Sequence, residues 1–157
     1  MPWKELTAQQ VLQAFDIDIE NTRLGKIIKN PEDLALTIKF LRDNYSYITD
    51  CYLELQYNSV YPFVNKIELS NFAEKAKLID ANLNMANCDL LFVSAHDNKK
   101  GGIKQKTGLI RCEFLEYLVR LAAFKYVQTN TLKTYHESIK KVIEEYMKPN
   151  FRPMPWQ

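Results

Sequence analysis

A strong helix start followed by one long apolar stripe is the feature that most constrains this chain. Asn30 can cap a helix, Pro31 suits its first position, and Glu32 and Asp33 place acids in the positive first turn. The apolar residues after it alternate in steps of four and three, which predicts an amphipathic helix, or two consecutive helices, over residues 31–56. A second apolar side favours a core-facing helix over a coiled-coil seam. The stripe consists of Leu34, Ile38, Leu41, Tyr45, Ile48, Tyr52 and Leu55.

Helical patterns account for most of the remaining chain. With only 4 Gly and 6 Pro in 157 residues, a turn-rich β fold is disfavoured. We expect an all-α fold in one domain, divided into N-terminal helices (1–43), a helical pair (44–128), a C-terminal helix (131–148) and an extended tail (149–157). The individual helices are predicted near 8–16, 69–79, 87–96, 111–128 and 131–147, with loops between them.

Charge and cysteine content point to a chain from a reducing compartment. The net charge is +2, divided into −3 for residues 1–60 and +5 for residues 61–157. Cys51, Cys88 and Cys112 are an odd number at unrelated spacings, which favours buried free thiols over disulfides. The sequence shows no secretory signal and no apolar run long enough to span a bilayer. We therefore expect a cytoplasmic protein.

Two short segments share a local pattern. Each has an aliphatic residue, four further residues and then a phenylalanine that opens a helix: Ile67 to Phe72, and Leu109 to Phe114. The pattern resembles the second half of an EF-hand loop in the calmodulin-like superfamily. The resemblance implies that Ile67 and Leu109 pair in a short β-bridge, and that Glu113 holds the last loop position. It implies an EF-hand-like helix-loop-helix pair flanked by additional N- and C-terminal helices.

The ligands that calcium needs are largely missing from both loops. Calcium is held by six to eight oxygens, mostly from loop positions 1, 3, 5, 7, 9 and 12. Counted back from Phe72, the first loop has no carboxylate at positions 1, 3, 5 or 12. The second loop places lysines at positions 3 and 5 and keeps only Glu113. The resemblance therefore implies a calcium-independent pair, with no metal and no cofactor.

A rival calcium site and an enzyme are both weak alternatives. Asp80, Asn82 and Asn84 have the spacing of a calcium loop, but Met85 and Leu91 stand where glycine and glutamate are needed. Caps and turns explain these residues more simply, although a calcium sensor remains an alternative. No phosphate-binding, hydrolase or zinc motif is present, so we expect no catalytic residues and no enzyme.

A basic loop is the candidate site for a partner. Residues 98–106 carry four lysines and no acid: Lys99, Lys100, Lys104 and Lys106. We expect a non-catalytic protein–protein interaction or scaffold module, in which a calcium-independent clamp binds a helix of a protein partner. The resemblance implies a cytoskeletal or ciliary setting, where calcium-dead calmodulin-like modules serve. An alternative is a nucleic-acid-associated accessory subunit that uses the basic loop.

Overall fold

The computed structural model describes residues 8–59, 63–96 and 108–153. It is mostly helical, which confirms the all-α fold. Two pairs of residues form the strands, β1 (Val64–Asn65) and β2 (Gly108–Leu109). The helices are α1 (Ala8–Glu20), α2 (Leu24–Ile27), α3 (Pro31–Asp43), α4 (Tyr45–Tyr57), α5 (Lys66–Lys75), α6 (Met85–Ala95), α7 (Arg111–Ala122), α8 (Tyr135–Lys141) and α9 (Lys148–Asn150). Helices α7 and α8 continue as π-helical segments at Ala123–Val127 and Val142–Met147.

The strong start at Asn30 forms as predicted. The side-chain oxygen of Asn30 accepts hydrogen bonds from the backbone N–H of Glu32 at 2.9 Å and of Asp33 at 3.1 Å. The stripe after it is divided between two helices, because α3 ends at Asp43 and α4 begins at Tyr45. Its residues face the core, as the core-facing interpretation expects.

Several predicted boundaries are wrong, and side-chain caps explain two of them. Helix α5 begins at Lys66, not at residue 69, because the Asn65 side chain accepts from the Glu68 N–H at 2.8 Å. Helix α8 begins at Tyr135, not at residue 131, because Thr134 caps it. Helix α1 extends to residue 20, and α2 lies in the segment 17–29 that was predicted to be a loop.

Helix α7 lies at the centre of the core. Nine of the ten residues from Cys112 to Leu121 are buried, all but Arg120, and Ala122 is buried as well. It packs against α6, α8 and α4, so that one hydrophobic cluster extends from Phe15 to Phe151. A central apolar helix needs other elements on all of its sides. The helices at both ends of the chain therefore belong to the same core.

Two buried carboxylates tie the N-terminal helices to α7. Asp18 is 6% exposed and accepts hydrogen bonds from the Arg111 Nε at 2.6 Å and from the Tyr45 hydroxyl at 2.5 Å. Glu116 is 2% exposed and binds Arg23. Both partnerships link residues 93 positions apart in sequence. Because a buried carboxylate without a partner is costly, these contacts fix α1 and α2 on the core.

The two strands make one tight antiparallel contact. Val64 pairs with Leu109 and Asn65 pairs with Gly108. A Cβ atom at position 108 would lie 2.1 Å from the carbonyl oxygen of Val64. Since no side chain fits at that distance, the pairing requires glycine at this position.

The C-terminal segment docks on the core through one aromatic ring. The predicted extended tail is wrong at Pro149 and Asn150, which lie in α9. Phe151 is 3% exposed, and its ring centroid lies 5.0 Å from that of Phe72. The Tyr47 hydroxyl donates a hydrogen bond of 2.7 Å to the Phe151 carbonyl. Residues 154–157 of the predicted tail lie outside the described residues.

The cysteines and the helix lengths bear on two expectations from composition. The three cysteines are free and buried, which confirms that they act as small core residues. Among the described residues, no helix has the length and apolar character needed to cross a bilayer.

Candidate partner-binding site

Helix α6 is apolar on its outer as well as its inner face. Its sequence, MANCDLLFVSA, contains a single charged residue, Asp89. Cys88 and Leu91 are buried against the core, whereas Leu90 is 65% exposed and Val93 is 67% exposed. A helix that is apolar all round is normally covered on all sides. The outer face of α6, defined here by Leu90 and Val93, therefore has the character of a contact surface.

An open cavity of about 220 Å³ lies beside this outer face. Three of its walls are α6, the end of α7 with its π-helical continuation, and Ile27 of α2, and Tyr135 of α8 completes the lining. The cavity is smaller than those that take drug-sized molecules, but it could accept apolar side chains from a partner. Its lining consists of Ile27, Asn87, Leu90, Leu91, Ser94, Arg120, Ala123, Phe124, Gln128 and Tyr135.

A shared carboxylate holds two arginines at this cavity. Glu116 Oε2 accepts hydrogen bonds from the Arg23 Nη2 at 2.7 Å and from the Arg120 Nε at 2.9 Å. Arg23 also donates through Nη2 to the carbonyl oxygen of Ser94, at 2.6 Å, and Ser94 lines the cavity. The arginine side chains are 29% and 25% exposed, whereas that of Glu116 is 3% exposed. The edge of the cavity thus presents two cations that share one buried anion.

The predicted basic loop cannot be placed. Lys99, Lys100, Lys104 and Lys106 all lie between residues 97 and 107, outside the described residues. In the sequence, residues 97–107 follow His96, at the end of α6, and precede Gly108, the first residue of β2. Its role in binding stays a prediction.

Of the five predicted loop anchors, the structure brings Phe72 and Phe114 into contact, and it contradicts the pairing expected of Ile67 and Leu109. Val64, and not Ile67, pairs with Leu109. Ile67 lies in the first turn of α5 and is 69% exposed, because the cap at Asn65 starts that helix before it. The repeated phenylalanine pattern thus aligned the two segments three residues out of register.

The other anchors have structural partners in the core. Phe72 and Phe114 are buried with their ring centroids 6.1 Å apart. Leu109 is buried in the strand pair. One carboxylate oxygen of Glu113 accepts the Ile110 N–H at 3.0 Å, which closes the first turn of α7. These contacts stabilise the frame from which α6 presents its outer face.

The rival calcium loop is occupied by a protein cation. Asp80 Oδ2 accepts a hydrogen bond of 2.5 Å from the Lys125 ammonium, and Oδ1 accepts from the backbone N–H groups of Asn82 and Leu83. Asn84 caps α6 by accepting from the Asn87 N–H. Burial alone would raise the pKa of Asp80, but the hydrogen bonds from Lys125 and from the backbone outweigh it and lower that pKa.

Thiol chemistry and metal binding find little support in the described residues. Burial raises the pKa of Cys51 to about 12 and also raises that of Cys88, which disfavours the reactive thiolate. The His96 ring stacks on Phe92 with centroids 5.3 Å apart. Across residues 8–59, 63–96 and 108–153, no group of three His, Cys, Asp or Glu side chains could hold a metal ion.

Comparison of the chain with known protein families, with curated proteins and with solved structures finds no match. Its function is therefore inferred from the geometry of the chain itself. The outer face of α6 was not predicted from the sequence, although a signal was present. Residues 85–95 contain one charged side chain, and Leu90 and Val93 are out of phase with the buried Cys88 and Leu91.

Proposed function

We propose that this chain is a non-catalytic protein-interaction module of the scaffold or adaptor type, which binds a helix of a protein partner on the outer face of α6. One observation carries the proposal: Leu90 and Val93 are about two-thirds exposed on one helix, and Leu90 also lines an open cavity. Exposed apolar residues beside a cavity mark interaction surfaces. Helix-in-groove binding uses anchors of this kind.

An EF-hand-like frame is part of the proposal. Helices α4 and α5 enclose the loop that ends in β1, and α6 and α7 enclose the loop that ends in β2. Strand β1 directly precedes α5, and β2 is separated from α7 by one residue. The two strands pair antiparallel. Two helix–loop–helix units joined through their loops in this way support an EF-hand-like pair, although fold alone does not define function.

Calcium independence follows from the residues at the ligand positions. If the paired residues Val64 and Leu109 mark loop position 8, position 12 falls on Glu68 and Glu113. The earlier positions 1, 3 and 5 are then Tyr57, Ser59 and Tyr61 in the first loop and Gly102, Lys104 and Lys106 in the second. One carboxylate per loop is too few for a calcium site. The frame is therefore proposed to hold α6 in one arrangement without an ion.

The proposed setting is cytoplasmic, in a cytoskeletal or ciliary assembly. It is supported by the free buried cysteines, which suit a reducing compartment, and by the analogy with calcium-dead calmodulin-like modules. A second candidate is a nucleic-acid-associated subunit that uses the four lysines of residues 98–106. Binding through phosphate contacts would weaken steeply with salt, whereas binding in an apolar groove would not.

Affinity purification of tagged variants from the protein's own cells tests the proposal. The wild type, the double variant L90E/V93E and the control L36E are compared by quantitative mass spectrometry, with and without nuclease. Leu36 is a suitable control because it lies on a different helix, α3, and is 49% exposed. We expect L90E/V93E to lose partners that both L36E and nuclease treatment leave in place. Retention of every partner by L90E/V93E would contradict the proposal, and loss of the partners with nuclease would favour the second candidate.

A further inference from the structure

We propose that the helix bound at the outer face of α6 is acidic, and that Arg120 binds one of its carboxylates next to the apolar anchors. This inference depends on the proposed function, because it specifies the partner of the same surface. It is carried by the charges at the cavity. Of the ten described residues that line it, Arg120 is the only charged one, so that no acid among them opposes a carboxylate that enters.

Arg120 has hydrogen-bond donors to spare. A guanidinium carries five N–H donors in a planar fork. Among the described residues, Nε is the one nitrogen of Arg120 that has a partner, the Glu116 Oε2 at 2.9 Å. That contact fixes the orientation of the guanidinium and leaves its two terminal nitrogens available. A fixed arginine fork is the protein group best suited to bind a carboxylate through two hydrogen bonds.

One buried carboxylate is shared by two guanidiniums at this edge. Glu116 accepts from Arg23 at 2.7 Å as well as from Arg120, and its side chain is almost fully buried. A ligand carboxylate would therefore meet the partly exposed guanidinium of Arg120, whereas the acid that orients this guanidinium lies beneath the surface. Like-charge repulsion would disfavour a basic helix at the same place.

The apolar part of the cavity determines the other half of the ligand. Ile27, Leu91 and Phe124 line it together with the exposed Leu90. A helix presents residues three and four positions apart on one face, so that an apolar anchor and an acid one turn away can reach the cavity and Arg120 together. The expected ligand is an amphipathic helix with Asp or Glu one turn from a large apolar residue.

Selection from a phage-displayed library tests the inference. The library holds random peptides of about sixteen residues, roughly four helical turns, and the full chain is the target. We expect the selected peptides to carry Asp or Glu three or four positions from a large apolar residue. The best peptide is then compared by fluorescence anisotropy with versions in which its acids are replaced by Gln or by Lys. The Gln version should bind about tenfold more weakly, because hydrogen bonds to ionised groups are the stronger ones.

Variants separate the charge contact from the apolar contact. R120Q should bind the acidic and Gln peptides equally, because the fork is gone, whereas L36E should behave as the wild type. L90E/V93E should bind none of them. Circular dichroism and melting of each variant show whether it is folded. Arg23→Gln is a second variant should R120Q fail to fold, and it should reduce the preference for acid by removing part of the same charge.

Each outcome has a distinct meaning. Neutral or basic selected peptides, or an undiminished preference for acid in R120Q, would overturn the inference; if L90E/V93E still lost binding, the proposed function would stand. Peptides that bind L90E/V93E as tightly as the wild type would contradict both. A failure to select any peptide would overturn the inference. So would a dimer of the wild type in analytical ultracentrifugation that L90E/V93E abolishes, because the occupant would then be a second copy of the chain.

Discussion

Lys125 and Arg120 lie on one continuous helical run, yet one cation is buried and the other is partly exposed to solvent. The Lys125 side chain is 1% exposed, and its ammonium donates to Asp80 and to the Leu78 carbonyl oxygen, at 2.5 and 2.8 Å. The Arg120 side chain is 25% exposed and faces an open cavity. A cation whose donors are used inside the protein stabilises the fold, whereas one with donors left over at a cavity is suited to bind another molecule.

The largest expected effect comes from removing the partner of the buried cation. Asp80→Asn keeps the acceptor for the turn but leaves the buried charge of Lys125 without a counter-ion, which should lower the free energy of unfolding by about 3 kcal/mol. Urea denaturation measures it. The matched control is Asp89→Asn, because Asp89 is equally exposed, at 48% against 47%, but meets the exposed Lys66 at 3.8 Å. That control should change stability by less than about 0.5 kcal/mol. Equal effects of the two substitutions would show that burial of the lysine, in Lys125 as against Lys66, makes no difference to the contribution of its aspartate.

The same pair predicts how stability depends on pH. The pKa of Asp80 is lowered below its usual 3.8 in the folded chain. A carboxyl group with a depressed pKa contributes stability above its unfolded pKa and loses it as the pH falls through the folded value. The difference in unfolding free energy between the wild type and Asp80→Asn should therefore be constant above about pH 5 and shrink as the pH falls below about 4. A difference that persists unchanged to pH 2 would show that the charge of Asp80 is not its source.

Arg120 should matter much less for stability than for binding. R120Q removes one hydrogen bond to Glu116, which keeps its contacts with Arg23, so that the expected loss is about 1 kcal/mol. Denaturation in urea gives this value, to be compared with the change in peptide affinity for the same variant. A loss as large as that of Asp80→Asn would place Arg120 with the structural cations and weaken the comparison.

Calcium should have the smallest effect of all. The Lys125 ammonium takes one oxygen of Asp80 and backbone groups take the other, so that this loop offers no free carboxylate. The melting temperature should therefore be the same in EDTA and in about 1 mM calcium, a concentration that would occupy even weak EF-hand sites. If calcium raised the melting temperature of the wild type but not that of Asp80→Asn, the ion would be displacing Lys125 from Asp80.

The sequence predicted elements that local chemistry determines. The cap at Asn30 formed as expected, because its partners, the N–H groups of Glu32 and Asp33, lie two and three residues away. The start of α5 could have been found by the same reasoning, since Asn65 and Glu68 have the spacing of a capping pair. The phenylalanine pattern instead favoured a register in which Ile67 pairs with Leu109.

Contacts between residues that are far apart in the sequence could not be predicted from it. Lys125 and Asp80 are 45 positions apart, and Arg23 and Glu116 are 93 positions apart. No periodicity links such residues, because a charge that folding buries looks like any surface charge in the sequence. Asp33 shows the same limit: it was expected to favour its own helix, and its carboxylate also accepts the N–H groups of Tyr135 and His136 at the start of α8.

The tight contact at Gly108 bears on the ancestry of this chain. A methyl group there would collide with the Val64 carbonyl oxygen at 2.1 Å, so that a descendant which keeps the strand pair must also keep this glycine. The five residues after it include Leu109, which pairs, and Glu113, which caps α7. Exposed positions such as Leu90 and Val93 of α6 are under no such steric constraint. Sequence similarity to related proteins should therefore be detectable first in residues 108–113, even where the rest of the sequence has diverged.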